Sequence, residues 1–297
     1  MSSPLLSIII PTYNRPHLLP RAVESALAQT IEDFEVIVVD DASPEAVNLP
    51  EHPRLKVIRQ PENRGGSAAR NVGAKAARGQ WITYLDDDDL LLPHMAEVSL
   101  EALAKGHPSL PKPIAVLSGI EVIGEDGQVK QTRIPPTLPK GSHFGLEEIK
   151  PEQSFFCKQT MVVEKEVLLS IGGFDESFTS RVHSELFLRL NLVCSIVGLP
   201  IVTYQLWEHQ IERVSSDPSR RQLNFNRLLS KHKNIFEAHP KMFANFTYDH
   251  ALMSYQSGQT LEALKSVAWA MKIDPIHTLA RMGSPFKRSL LNLIPKL

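Results

Sequence analysis

The sequence predicts an α/β protein: a mostly parallel sheet flanked by helices, followed by an all-helical C-terminal extension. Three observations predict it. Short apolar, β-branched runs of strand length recur through the first two-thirds of the chain. Stretches with helical hydrophobic spacing separate the early runs. From about Asp217 onward the pattern turns helical throughout.

Leu6 to Ile10 is wholly apolar and suits a strand buried on both faces, closed by Pro11-Thr12-Tyr13-Asn14. Leu18, Leu19, Ala22, Val23, Ala26 and Leu27 share one helical face, with Asn14 and Pro16 as start signals. Phe34 to Val39 is a second buried strand ending in Asp40-Asp41, and Leu55 to Ile58 a third. Gly65-Gly66-Ser67 leads into a small-residue helix through Ala68, Ala69, Val72 and Ala76, with Ser67 as N-cap and Gly79 as C-cap. Trp81 to Leu85 is a fourth strand, ending in Asp86-Asp87-Asp88-Asp89, and Pro93 opens a helix. The later elements are less regular. Ile114 to Ile123 and Val129 to Ile134 form a hairpin around Gly124-Glu125-Asp126-Gly127. Thr160 to Val163 is strand, Lys165 to Ile171 helix, Gly172-Gly173-Phe174-Asp175 turn, Ser184 to Asn191 helix and Ile201 to Leu206 strand.

The 297 residues are 42% hydrophobic and 22% charged, enough apolar material for a sizeable core. Lys plus Arg is 32 against 33 for Asp plus Glu, a balance that argues against nucleic acid as a partner. Two cysteines, Cys157 and Cys194, exclude a disulfide scaffold and read as small buried apolar residues. The N-terminus lacks the cationic start of a signal peptide, and no run approaches the ~18 apolar residues of a membrane span. These features predict a cytoplasmic protein whose membrane contact is at most peripheral.

Three polar clusters follow strand-like runs: Thr12-Tyr13-Asn14, Asp40-Asp41 and Asp86 to Asp89. In a parallel sheet the strand C-termini share one edge, where ligands bind. Four adjacent carboxylates repel one another when desolvated, and a divalent cation relieves this. Carboxylate oxygens select Mg²⁺ or Mn²⁺, which fill their remaining positions with phosphate oxygens. The competing reading is a solvated acidic turn before the helix at Pro93. There is no G-x-G-x-x-G after a strand, no P-loop and no G-x-S-x-G elbow, which demotes oxidoreductase, P-loop NTPase and serine-hydrolase readings.

Five segments carry a resemblance. They are Ser7 to Arg15 (SIIIPTYNR), Val36 to Ser43 (VIVVDDAS), Glu62 to Asn71 (ENRGGSAARN), Tyr84 to Asp89 (YLDDDD) and Gly172 to Glu176 (GGFDE). In this order they make residues 5 to about 210 resemble a family 2 glycosyltransferase with the GT-A, Rossmann-like fold. The resemblance implies a catalytic domain over 1–215, its nucleotide-binding half about 1–105 and its acceptor half about 106–215, with a helical extension over 216–297. It implies that Pro11, Thr12, Tyr13, Asp41 and Asp87 line the nucleotide pocket and that Arg70 contacts the nucleotide or diphosphate. Asp86 and Asp88 become the ends of a D-x-D motif. Asp88 would bind Mn²⁺ or Mg²⁺, with Asp86 nearer the ribose or a metal-bound water. Simpler roles stay open: Tyr13 packing over the sheet edge, Asp40 as a turn residue, Arg70 in a structural ion pair.

The implied reaction is inverting transfer of a sugar from a nucleoside diphosphate sugar, expected to be a UDP-sugar, to a hydroxyl of a glycan or lipid-linked acceptor in envelope or polysaccharide synthesis. A base must take the hydroxyl proton. Counting back from the helix Glu185-Leu186-Phe187-Leu188-Arg189-Leu190, the family's acidic pair falls on Val182 and His183. His183, with an ordinary pKa of about 6.5, is then the candidate base. Glu185 is the other candidate, although its spacing to Arg189 also suits a surface pair. A site with no base remains open, and with it a nucleotide-sugar-binding scaffold as the alternative function. A nucleotidyltransferase is a third, weaker reading.

In the helical extension, Ala251, Tyr255, Gly258, Glu262-Ala263-Leu264, Ala270 and Asp274-Pro275 resemble one tetratricopeptide-type repeat. A single repeat must pack on other helices or on a protein partner. The basic, apolar stretch 285–297 suggests either a last packed helix or peripheral contact with an anionic membrane.

Overall fold

The structure, a computed structural model, describes residues 3–208 and 217–282. The 285–297 stretch lies outside the described residues. The chain divides into two compact units, Met1–Phe144 with Ile149–Glu212, and Gly145–Glu148 with Arg213–Leu297.

The first unit is built on a nine-stranded mixed sheet. Its first half is parallel: β3 (Leu55–Arg59), β2 (Phe34–Asp40), β1 (Leu6–Thr12) and β4 (Trp81–Tyr84) lie side by side in that order. β1 and β2 are buried along all seven residues. Ile9, Ile37 and Val39 enter one core layer, and Leu6, Ile8, Ile10, Val36 and Val38 the other. That two-sided burial explains why these strands read as unbroken apolar runs. The parallel character stops at β4. β8 (Val162–Glu164) runs antiparallel to it, and β6 (Ile114–Ile123) antiparallel to β8. β9 (Ser195–Trp207) is parallel to β6, while β5 (Leu90–Leu91) and β7 (Val129–Arg133) are antiparallel additions.

Several boundaries differ from expectation. β1 continues through Pro11 and Thr12, because both still pair in register with Val39 and Asp40. The first helix, α1 (Leu19–Leu27), starts beyond Asn14 and Pro16. Asn14 instead adopts a left-handed backbone, φ 54°, with its amide donating to Ser43 Oγ at 2.9 Å. The second helix, α2 (Gly66–Ala76), has no side-chain cap, and Ser67 Oγ donates to the Phe178 carbonyl instead. Gly79 lies beyond the C-cap Ala77. It permits close approach to β1: a Cβ there would sit 2.7 Å from the Ser7 amide nitrogen. β9 is longer than the expected 201–206, and after α3 (Met95–Lys105) and α4 (Lys165–Ser170) the helix before β9, α5 (Val182–Val193), begins two residues early.

α2 places the site. It packs on β1 and β2 through Ala69, Gly73 and Ala74, and a Cβ at Gly73 would fall 2.3 Å from Ile9 Cγ2. Small residues therefore bring α2 close to the sheet and carry Arg70 and Asn71 to its C-terminal edge.

The second unit is helical, with the expected turn at Gly258 (φ 76°) between helices Pro240–Gln256 and Thr260–Ile273. Asp274 caps the following helix by accepting from the His277 amide at 3.0 Å. The earlier helix Pro218–Lys231 adds Phe225, which stacks on His250 with centroids 3.7 Å apart. Among the described residues no helix is long and apolar enough to cross a membrane.

Candidate active site

The site forms where β1, β2 and β4 end together. Thr12 pairs with Asp40 across the ladder, and the Asp41 amide donates to the Thr12 carbonyl at 2.9 Å. Asp40 organises the turn. It accepts from the Ser43 amide at 2.8 Å and from Arg59 Nη1 at 2.5 Å. Burial alone would raise its carboxyl, but these hydrogen bonds and the Arg59 charge hold it below the usual range. Ala42, between these aspartates and Ser43, is left-handed with φ 60°. Asp41 points the other way. Its oxygens accept from Gln60 Nε2 (2.5 Å), the Arg64 amide (2.9 Å) and the Gly65 amide (2.7 Å), fixing the loop that starts α2. Pro11 is buried, while Tyr13 stands 46% exposed at the sheet edge.

The four aspartates divide by partner. Asp86 forms an ion pair with Arg70. Asp87 Oδ2 accepts from Thr12 Oγ1 at 2.6 Å. Asp88 lies 3.4 Å from Arg15 Nη1. Asp89 turns inward, accepting from Tyr204 Oη at 2.8 Å and the Trp207 amide at 2.9 Å, and so pins the end of β9. Burial pushes the Asp87 carboxyl up to about 6, helped by the Asp88 and Asp86 charges and opposed by Thr12 and Arg15. Burial likewise raises Asp89 well above the usual carboxylate range. Three half-buried carboxylates and one buried one thus share a single turn. Carboxylate oxygens are the donors that a hard divalent cation selects, and a cation held by Asp86 and Asp88 would replace Arg70 and Arg15 as their counter-charge.

The other motif segments meet across α2. Asn71 Nδ2 donates to the Phe174 carbonyl at 2.9 Å and to Glu176 Oε1 at 3.0 Å, and its Oδ1 accepts from the Phe174 amide at 2.8 Å. A Cβ at Gly173 (φ 67°) would sit 2.5 Å from Asn71 Oδ1, so the latch requires glycine twice over. Arg64 Nη2 adds an ion pair to Glu176 at 2.7 Å. The latch holds the Phe174 ring against three neighbours. Tyr84 meets it edge-on at 5.2 Å, Arg70 Cζ lies 5.6 Å from its centroid, and His183 meets it edge-on at 5.4 Å.

His183 lies in the first turn of α5, half-buried, and no side chain caps that helix. Burial pushes its imidazole down to about 3, with the Arg70 and Lys158 cations acting the same way and Asp86 against them. The ring is therefore neutral at physiological pH. Glu185 is fully buried, and the pair with Arg189 is an interior one rather than a surface one. Arg189 Nε and Nη2 donate to its two oxygens at 2.7 and 2.6 Å. Arg189 also donates to the Ile171 and Gly173 carbonyls, so this pair braces the Gly172-Gly173 turn. Sequence reasoning missed the Asn71 latch, the Thr12–Asp87 bond and the inward turn of Asp89. A polar Asn71 within an otherwise small, apolar helix face was the one available signal.

The comparisons with known proteins bear on the family and the fold. The model of the family described as glycosyl transferase family 2 matches residues 7–170. An uncharacterized glycosyltransferase of Haemophilus influenzae is 30% identical over 223 residues, 73% of this chain and 74% of that protein. Chondroitin synthase of Escherichia coli is 41% identical over 197 residues, 64% of this chain but only 27% of that longer protein. Among solved structures, Staphylococcus aureus TarS residues 1–349 in complex with UDP-GlcNAc superposes with a TM-score of 0.64. It is 19% identical, over 93% of this chain and 83% of that one, a likeness of fold. The family model covers more than half of the chain, including the strands and the aspartates of this edge, and the chain belongs to glycosyl transferase family 2.

Proposed function

We propose that this glycosyltransferase moves a sugar from a UDP-sugar to a hydroxyl of a glycan or lipid-linked acceptor, with a divalent cation and inversion at the anomeric carbon. The observation that carries the proposal is the turn of Asp86, Asp87 and Asp88 at the end of β4, where Asp86 pairs with Arg70 and Asp88 faces Arg15. Uridine is the expected base because similar folds were solved with UDP and UDP-GlcNAc.

In this reading Pro11, Thr12, Tyr13 and Asp41 line the nucleotide pocket. Tyr13, the exposed one of the four, offers a ring to the base. Three donors on Asp41 leave about one of a carboxylate's four acceptor sites. Asp88 and Asp86 would hold Mn²⁺ or Mg²⁺, with Asp87 beside them. Bound there, the cation would neutralise the charge that grows on the departing diphosphate. Arg70 and Arg15, released from their aspartates, suit the diphosphate oxygens through their forked donors.

His183 takes the acceptor proton. Its imidazole is neutral and therefore able to receive one. The diphosphate brings negative charge to the Arg70 side of the ring, which raises its basicity from the depressed value toward the useful range. Glu185 supports the base by bracing the turn before it. The helical second unit is offered to a protein partner.

The test is release of UDP from a panel of UDP-sugars with Mn²⁺ and a mixed set of oligosaccharide acceptors. His183→Ala is expected to lower kcat by about 10²–10⁴-fold with donor KM little changed. Tight nucleotide binding without transfer to any acceptor would instead favour a binding scaffold. Pyrophosphate release from a nucleoside triphosphate would favour a nucleotidyltransferase.

A further inference from the structure

A second cluster lies on the turn that packs against the helix of His183. Lys158, in the short 3-10 turn Lys158–Thr160 against which α5 packs, sits 5.6 Å from the Phe144 ring centroid and 5.5 Å from that of Phe156. Among the described residues no carboxylate pairs with it, and its charged neighbour is another cation, Arg181. Arg133 Cζ lies 5.7 Å from the same Phe156 ring. Arg181 holds a left-handed backbone, φ 59°, directly before the helix that carries His183. Phe156 itself is 62% exposed. Two cations, Lys158 and Arg133, thus flank one exposed aromatic ring, and the turn that carries Lys158 packs against the helix that carries His183.

A partly buried ammonium without a counter-ion is costly unless something supplies the charge. An exposed ring offers a face on which the apolar face of a sugar packs, and cations beside it select an anionic substituent. The donor side of His183 is already defined by Arg70 and Asp86.

We infer that Phe156, Lys158 and Arg133 form an acceptor subsite that recognises a glycan bearing an anionic group, carboxylate or phosphate, next to the hydroxyl presented to His183. The inference rests on the glycosyltransferase reading above and names its acceptor class. The ring of Phe156 would stack on the acceptor sugar. Lys158 would bind the anion, and Arg133 would add to the field.

The test uses the full chain with UDP and Mn²⁺ and three probes: a neutral N-acetylhexosamine tetrasaccharide, a glucuronate-containing tetrasaccharide and a glycerol phosphate tetramer. Dissociation constants are measured by calorimetry. At least one anionic probe is expected to bind about tenfold or more tighter than the neutral one, and which one identifies the anion. Lys158→Met should abolish that preference and leave neutral-probe and UDP binding unchanged, while Lys158→Arg retains it. Phe156→Ala, at an exposed position, should weaken both tetrasaccharides and leave UDP binding unchanged. Anionic probes that bind no tighter than the neutral one, or a preference that survives Lys158→Met, would overturn the inference. Failure of UDP itself to bind would instead contradict the donor reading, so the two failures are distinguishable.

Discussion

Phe174 and His183 meet edge to face, ring centroids 5.4 Å apart and planes at 88°. The same Phe174 ring carries the Arg70 guanidinium and is locked by Asn71. One aromatic ring therefore couples the proposed base, the cation facing Asp86 and the Gly-Gly turn. Phe174→Leu is expected to cost about 1–2 kcal/mol of stability, less than the full loss of a buried ring. It should lower kcat about tenfold while nucleotide affinity stays within about twofold, because it loosens His183 and leaves the sheet edge intact. Steady-state kinetics beside a urea unfolding curve checks both parts. A variant with unchanged kcat would remove Phe174 as a positioning residue.

Neighbouring aspartates should respond oppositely. Asp89 is buried and satisfies Tyr204 Oη and the Trp207 amide, so Asp89→Ala leaves donors unpaired and should destabilise by about 2–4 kcal/mol. Asp88 is half-buried and its pair with Arg15 is long, worth about 0–1 kcal/mol, so Asp88→Ala should unfold nearer the wild-type temperature than Asp89→Ala. Thermal unfolding of the two variants without ligand makes the comparison. Equal destabilisation would show that the tract acts as one structural unit.

Ala42 holds φ 60° without the freedom of glycine. A left-handed backbone costs an L-residue about 1–2 kcal/mol, partly offset by the greater flexibility of glycine in the unfolded chain. Ala42→Gly should therefore stabilise the fold by about 0.5–1 kcal/mol. Denaturant unfolding that finds the variant less stable would mean that the Ala42 methyl makes compensating contacts.

The strands were legible because burial on both faces writes unbroken apolar runs, as in Ile8-Ile9-Ile10 and Val36-Ile37-Val38-Val39. The acidic edge was legible because it follows those runs directly. Two things were not legible. The sheet turns antiparallel after β4, since short strands such as Val162–Glu164 and Leu90–Leu91 carry no period of their own. The division of labour within Asp86 to Asp89 depends on Thr12 and Tyr204, which are 75 and 115 residues away from their partners. Local pattern reports none of that. Glu185 illustrates the same gap: its spacing to Arg189 was visible, but its complete burial was not.

The depressed His183 has a consequence for stability. Its pKa falls from the usual 6.5 in the unfolded chain to about 3 in the folded one. Between those values the unfolded chain binds a proton that the folded chain does not. Stability therefore falls as pH drops through 6.5 toward 3, by at most about 1.4 kcal/mol per pH unit from this group, and is unaffected above 6.5. His183→Gln should remove that contribution, so the variant gains on the wild type on going from pH 7 to pH 5. Urea unfolding at the two values measures it. An unchanged difference would show that the imidazole titrates normally.

The measurement that bears most directly on the central claim is thermal unfolding with UDP, GDP, dTDP or CDP, with and without Mn²⁺, for wild type and Asp88→Ala. Ligand at about 100 times its Kd stabilises by about 2.7 kcal/mol, a rise of roughly 5 °C for a protein of this size. The predicted result is a rise with UDP that requires Mn²⁺ and disappears in Asp88→Ala. No rise with any nucleotide, or an equal rise in Asp88→Ala, would contradict a metal-assisted nucleotide-sugar site at the edge of β1, β2 and β4.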